Sequence, residues 1–142
     1  MLTWRAAGPA DVPLLAELNH QLIADEGARN AMDIQQLAAR MRGWLATEHR
    51  AVLFEEAGRV VAYALYRDSD ADCYLRQFFV CRDCRRRGIG RAAMRILFAD
   101  VFPKHKRLTV EVLTGNAPAV AFWRAVGYRD YSLKLEIMPE RR

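Results

Sequence analysis

The sequence predicts an α/β (α+β) domain built on one mixed, mostly antiparallel sheet with helices on both faces. Three observations carry this expectation. Short runs rich in β-branched and aromatic residues alternate with stretches whose apolar residues recur every three or four positions. Several strand-like runs in the middle of the chain follow one another through short polar turns, the pattern of an antiparallel meander. Further on, a strand-like run, a helical stretch and a second strand-like run succeed one another, which demands a right-handed crossover and a parallel pair. The expected order is β-α-α-β-β-β-α-β-α-β. At 142 residues the chain makes one domain, residues 1–142.

Leu2–Arg5 opens this order as a short strand. Gly8-Pro9-Ala10-Asp11 then starts a helix, with Asp11 as N-cap and Val12, Leu15, Leu18 and Leu22 as its apolar stripe. Asp25–Asn30 (DEGARN) reads as a polar loop. A second helix runs from about Asp33 to Leu45, with Ile34, Leu37, Met41 and Leu45 on one face. Ala51–Phe54 and Arg59–Arg67 flank a hairpin turn at Glu55-Glu56-Ala57-Gly58, and Cys73–Val80 is the next strand after a turn at Asp68–Asp72. A helix follows through Met94, Leu97 and Val101 to Phe102, where Pro103 stops it. Leu108–Leu113 is the strand parallel to Cys73–Val80. Gly115-Asn116 caps a very apolar helix to Val126, and Tyr131–Ile137 is the closing strand.

The composition, 52% hydrophobic and 27% charged, is that of an ordinary globular protein. Its net charge of +5 suits an anionic ligand and also weak nucleic-acid binding, and chooses neither. No stretch approaches the roughly 20 apolar residues of a membrane span, and the N-terminus has no secretory core, so no membrane is expected and the cytoplasm is the expected location. Three cysteines make no disulfide framework.

Residues 81–91, CRDCRRRGIGR, carry five arginines and two glycines ahead of a helix. A glycine-rich loop feeding a helix start presents free N–H groups and the positive end of the helix dipole to an anion. Glycine lets the backbone come close and take positive φ. Arginines add charge-assisted hydrogen bonds to phosphate. No Gly-Lys-Ser/Thr follows, so this is no Walker loop, and no third glycine completes a dinucleotide fingerprint. A solvated basic face on a capped helix is the plain alternative. Cys81 and Cys84 also form a C-x-x-C pair, which leaves a thiol redox protein as an alternative. Zinc is not expected, because His20, His49 and His105 all lie far along the chain. Nor is nucleic acid, because the arginines lack an interleaved aromatic platform.

Val80–Gly90, VCRDCRRRGIG, resembles motif A of the GNAT superfamily of acyl-CoA-dependent N-acyltransferases. Arg85 fills the first position of its Arg/Gln-x-x-Gly-x-Gly/Ala core, and Gly88 and Gly90 fill the glycines. Downstream, Asn116-x-x-Ala119-x-x-Phe122-Trp123-x-x-x-Gly127-Tyr128 resembles the family's motif B. The resemblance covers nearly the whole chain. It implies acetyl-CoA (coenzyme A) as co-substrate and no metal. The N–H groups of Arg86, Arg87, Gly88, Ile89, Gly90 and Arg91, with Arg85 beside them, would hold the pyrophosphate. The main chain of Phe79, Val80 and Cys81 would pair with the pantetheine arm, in a gap where the two parallel strands splay apart. Asn116 matches a position near the cofactor. Without that polyanion the arginines should form a mobile, mutually repelling cluster.

The implied reaction is direct attack of a primary amine on the thioester. A lysine-like amine is neutral in about one molecule per few thousand at neutral pH, so a base matters. Glu111 matches a position that carries a base in some relatives; a carboxylate held by neighbouring arginines is the structural alternative. A main-chain N–H near Phe79 or Val80 would meet the oxyanion. Two residues depart from the family pattern. Trp123 stands where many relatives carry the tyrosine that protonates the thiolate, which leaves Tyr128, Tyr131, water or no proton donor. Gln77 stands where relatives often carry a glutamate, so it would orient the substrate or a water. Asp25 and Glu26 would hold a cationic amine in the acceptor loop, against the alternative of a solvated polar turn. The expected partner is a small-molecule or peptide amine. Binding of acyl-CoA without turnover and a homodimer both stay open.

Overall fold

The computed structural model describes residues 1–142. The strands are β1 (Thr3–Ala6), β2 (His49–Glu56), β3 (Arg59–Asp68), β4 (Cys73–Val80) and β5 (Leu108–Val110), and they lie in the order β1-β2-β3-β4-β5. The first three pairings are antiparallel and the last is parallel. The helices are α1 (Val12–Glu26), α2 (Ile34–Ala46), α3 (Ile89–Ile96) and α4 (Ala117–Ala125).

Local chemistry sets these boundaries. Asp33 and Gln36 close a capping box on α2: the Gln36 N–H donates to Asp33 (2.8 Å) and the Asp33 N–H donates to the Gln36 side chain (2.9 Å). The β2–β3 hairpin turns on Ala57 and Gly58, both with positive φ (53° and 79°), which matches the twist of the strands it joins. After Ile96 the third helix widens into a π turn over Leu97–Val101. There Lys104 Nζ donates to the carbonyls of Phe98 (3.0 Å) and Ala99 (2.7 Å), which the loosened turn leaves free.

Adjacent strand residues point to opposite faces of a sheet. Tyr63 and Phe79 therefore mark one face, with ring centroids 6.4 Å apart, and Phe78 marks the other. The helices α1 and α2 cover the Tyr63 face. On the far side Phe78 stacks on Phe122 of α4 (5.9 Å), and α3 lies against the same ring. Helices on both faces thus bury one continuous core, in which Leu15, Met41, Phe54, Tyr63, Phe79 and Leu97 are fully enclosed.

Three expectations need correction. Asp25 and Glu26 belong to the last turn of α1, which Gly27 ends in the left-handed conformation, so the polar loop starts later. Asp11 does not cap α1; its carboxylate accepts the Gly8 N–H (2.8 Å) and binds Arg5. The third correction concerns the closing strand. Tyr131–Ile137 carries the right alternation but pairs with nothing in this chain, and no main-chain group from Arg129 to Ile137 bonds another main-chain group. A strand needs a neighbour, and pattern alone does not supply one.

Candidate active site

β4 and β5 pair over only three positions, Cys73 with Leu108, Tyr74 with Thr109 and Leu75 with Val110. Beyond Leu75 they part. The cause lies in β4: Leu65 of β3 faces Gln77, while Tyr66 faces Leu75, so Arg76 is an extra, bulged residue. A bulge bends its strand and re-aims its side chains. The outer edge of β4 is therefore open from Arg76 to Val80.

Which main-chain groups face this gap follows from the register. The Cys81 N–H donates to Val61 (2.8 Å), so alternation turns Cys81 and Phe79 toward β3 and leaves Phe78 and Val80 facing the gap. Of the expected trio only Val80 faces the gap, and its carbonyl accepts from Arg85 Nε (3.0 Å). Phe78 takes the place expected of Phe79 and Cys81. Without the register, sequence alternation could not say which set points outward.

The loop that follows is an amide nest. None of the main-chain N–H groups from Arg85 through Arg91 has a partner in the protein; the first bond of the helix is Ala92 N–H to the Gly88 carbonyl (3.0 Å). Arg86 and Gly88 both have positive φ (65° and 77°), which turns successive N–H groups to one side. The two glycines serve different needs. Gly88 holds the left-handed conformation in open space. Gly90 is helical, and a Cβ there would lie 3.2 Å from the Phe122 ring, so it lets α3 and α4 approach. The nest fits a diphosphate: its donors are free, their dipoles converge, and Arg86 and Arg91 add positive charge that no carboxylate neutralises.

The other loop arginines are not a mutually repelling cluster. Asp25 binds Arg82 (2.8 Å) and Arg85 (2.6 Å), and Glu56 binds Arg87 (2.6 Å). Asp25 is therefore taken and is not free to hold a cationic amine. Burial opposes its charge, yet hydrogen bonds from Arg82 and Arg85 outweigh that and hold its carboxyl below the usual range. These pairs join α1 to the nest across more than fifty residues, beyond the reach of local sequence patterns. Asn116 accepts the Ala119 N–H at its side-chain oxygen (3.3 Å) and caps α4.

Glu26 makes no hydrogen bond or ion pair, and burial first, then Asp25, push its carboxyl up. Its folded pKa thus lies above its unfolded one, so stability falls as pH rises through that interval and stays lower at neutral pH. Glu26→Gln is expected to raise Tm near neutral pH and leave it unchanged below about pH 3, where both forms are neutral. Thermal melts at the two pH values check this.

On the Tyr63 face of the gap, Tyr63 Oη donates to Gln77 Oε1 (2.9 Å) and Tyr74 Oη donates to Glu111 Oε1 (2.7 Å). Glu111 is held by a tyrosine, not by arginines. It sits exposed just past β5, which ends at Val110, three residues sooner than the expected strand Leu108–Leu113. On the opposite face Trp123 packs edge-on against Phe78 (5.7 Å), Phe122 (5.0 Å) and Tyr128 (5.6 Å). Tyr128 lies half-buried behind it, its buried hydroxyl lacks a partner, and burial pushes its pKa far up. Tyr131 lies at the start of β5 under Arg107 (4.6 Å). Neither tyrosine borders the parted strands.

All three cysteines are reduced and buried. Burial first, then Cys84, push Cys81 up in pKa, the reverse of an activated redox thiol. No helix is long and apolar enough to cross a membrane.

A parted parallel pair beside an unpaired amide nest, on a meander covered by helices on both faces, defines the class of fold: an acetyltransferase-like α+β domain. A model of the acetyltransferase (GNAT) family matches residues 15–128, and the chain belongs to that family. No curated protein sequence matches it. Among solved structures it resembles a predicted acetyltransferase from Clostridium acetobutylicum with acetyl-CoA, at 18% identity and a TM-score of 0.74, covering 100% of this chain and 99% of that one. It also resembles a ribosomal-protein-alanine N-acetyltransferase from Brucella melitensis biovar Abortus 2308 (13% identity, TM-score 0.75, 97% and 100% covered). A third is an aminoglycoside 6'-N-acetyltransferase from Acinetobacter haemolyticus (14% identity, TM-score 0.74, 96% and 97% covered).

Proposed function

We propose that this protein transfers the acetyl group of acetyl-CoA to a primary amine by direct attack. The observation that carries this reading is the run of unpartnered N–H groups from Arg85 to Arg91 beside the parted strands. Those amides, with Arg86 and Arg91, would hold the diphosphate. Main-chain groups of Phe78 and Val80 would align the pantetheine arm along β4, and the free N–H of one of them would meet developing negative charge on the carbonyl oxygen. When bound, acetyl-CoA supplies the activated acyl group and a thiolate leaving group. Glu111, oriented by Tyr74, would take a proton from the attacking amine, directly or through one water. Gln77, fixed by Tyr63, would orient the amine or that water. Solvent would return a proton to the thiolate, since Trp123 has no acid chemistry at neutral pH. Calorimetric titration with acetyl-CoA, followed by a thiol-release assay across a panel of amines, tests the reading. Binding without any turnover would favour the non-catalytic alternative.

The proposal extends to a homodimer. In the arm from Tyr131 to Ile137, Tyr131 is 84% and Leu135 is 83% exposed, alternating with the polar Ser132, Lys134 and Glu136. β5 is the sheet's edge strand on this side, paired with β4 and open along its outer edge. Two arms aligned antiparallel with Leu135 at the dyad would set each Leu133 opposite Ile137 and each Lys134 opposite Glu136, whose carboxylate Arg29 of its own chain also holds (2.8 Å). Sedimentation analysis should give a dimer at micromolar concentration and a monomer for Leu135→Asp. A monomeric parent protein would end this part of the proposal.

A further inference from the structure

Eight arginines of this chain pair with carboxylates: Arg5, Arg29, Arg59, Arg82, Arg85, Arg87, Arg107 and Arg124. Arg40, Arg67 and Arg76 do not, yet they come together on the Tyr63 face. Cross-strand partners put His49, Arg67, Tyr74 and Thr109 in one row across four strands. The bulge carries Arg76 onto this row: its Nε donates to His49 Nε2 (2.9 Å), and its guanidinium lies 5.2 Å from both the Trp44 and the Tyr74 ring centroids. Arg40 reaches in from α2 over Trp44 (4.4 Å), and Arg67 lies 5.6 Å from Tyr74.

A guanidinium has five N–H donors. Together these three make two hydrogen bonds to the protein, Arg40 to Asn19 Oδ1 (3.2 Å) and Arg76 to His49. Buried polar atoms around them lack partners: Arg40 Nε, Arg67 Nε, Asn19 Nδ2 and His49 Nδ1. Asn19 is 0% and His49 is 3% exposed. Such atoms ordinarily find partners when buried. The Trp44 and Tyr74 rings hold the guanidinium groups by cation–π contact, which does not use their N–H groups. Burial first, then Arg76, depress both Arg40 and His49, so His49 is neutral at pH 7 and adds no charge of its own. Like charges held this close with open donors suit a planar or tetrahedral oxyanion bound by several forks. Tyr74 carries two of the guanidinium groups over its ring and gives its hydroxyl to Glu111, so the patch begins one ring away from the candidate base.

We propose that Arg40, Arg67 and Arg76 form an oxyanion subsite of the acceptor cleft, and that the acceptor is an amine bearing a carboxylate or phosphate group. The proposal rests on the acetyltransferase reading above and narrows its substrate class. The amine would lie toward Glu111 and Gln77, and the oxyanion on the arginines.

The test uses matched acceptors in the thiol-release assay: α-amino acids against their α-amides, and O-phosphoethanolamine against ethanolamine. Members with the oxyanion are expected to be preferred about tenfold or more in kcat/KM, as charge-assisted hydrogen bonds imply. The amino-acid arm and the phosphate arm say which oxyanion fits. Arg76→Gln and Arg40→Gln should each erode that preference about tenfold, through KM rather than kcat, while acetyl-CoA affinity stays unchanged. Arg76→Lys, which keeps charge but not the fork, should fall between. Equal rates for acids and amides and for both ethanolamines, or a preference untouched in the Gln variants, would overturn the subsite and leave the acetyltransferase reading standing. Should acetyl-CoA fail to bind, that reading falls. Calorimetric titration of N-acetyl amino acids against N-acetyl amino-acid amides, with parent and Arg76→Gln protein, then still decides the subsite.

Discussion

Gly88→Glu is expected to abolish acetyl-CoA binding in a protein that remains folded. Gly88 sits at φ +77°, where a side chain costs about 1–2 kcal/mol, and a Cβ there meets nothing within 4 Å. The fold therefore tolerates the change, and the melting curve should shift by only a few degrees for a domain of this size. Binding does not tolerate it. The glutamate carboxylate would lie among the amides of Arg85–Arg91 and could close on Arg86 or Arg91, setting negative charge at the proposed diphosphate site. Each charge-assisted bond lost there is worth about 1.5–3 kcal/mol, so losing two or more lowers affinity by at least a hundredfold. Gly88→Asn separates charge from strain, because asparagine tolerates the left-handed region; it should keep binding within about tenfold. Calorimetric titration of the three proteins with acetyl-CoA measures this. Micromolar binding by Gly88→Glu would remove the nest from the site.

The nest was legible because its signal is local: glycine and arginine crowded at a helix start state their need within a few residues. The same holds for the Ala57-Gly58 turn and the Asp33–Gln36 cap. What stayed hidden depends on distant pairings. Nothing near Asp25 announces Arg82 and Arg85, and its loop-like surroundings (DEGARN) concealed that it ends a helix. The bulge at Arg76 has no glycine or proline to mark it, and the family resemblance named Phe79, Val80 and Cys81 without the register that turns Phe79 and Cys81 toward β3. Arg40, Arg67 and Arg76 come from a helix and two strands, and only the packing of α2 over the sheet turns three ordinary surface arginines into a cluster. Tyr131–Ile137 has the alternation of a strand, but no strand of this chain pairs with it, and alternation alone cannot report a missing neighbour.

Glu111→Gln is expected to lower kcat for the amine by about a hundredfold or more, the range of a lost general base, with acetyl-CoA affinity unchanged. The substitution keeps shape and keeps an oxygen to accept from Tyr74, so it removes proton affinity and little else. Its signature is the pH–rate profile. In the parent protein the rate should follow both the base and the amine; in Glu111→Gln only the amine's own ionisation should remain. Tyr74 does not supply the missing limb. Burial first, then its bond to Glu111, push its hydroxyl to about 12, so it stays protonated and donating through any practical assay range. Tyr74→Phe therefore probes orientation alone: it keeps the ring under Arg67 and Arg76 and frees Glu111 to rotate, with an expected loss of about tenfold. A base that is only positioned by Tyr74 obeys that ranking, Glu111→Gln well below Tyr74→Phe. A carboxylate that merely anchors β5 to β4 would instead make the two variants equivalent, with an unaltered pH profile, since breaking either end of the same hydrogen bond would then have the same consequence.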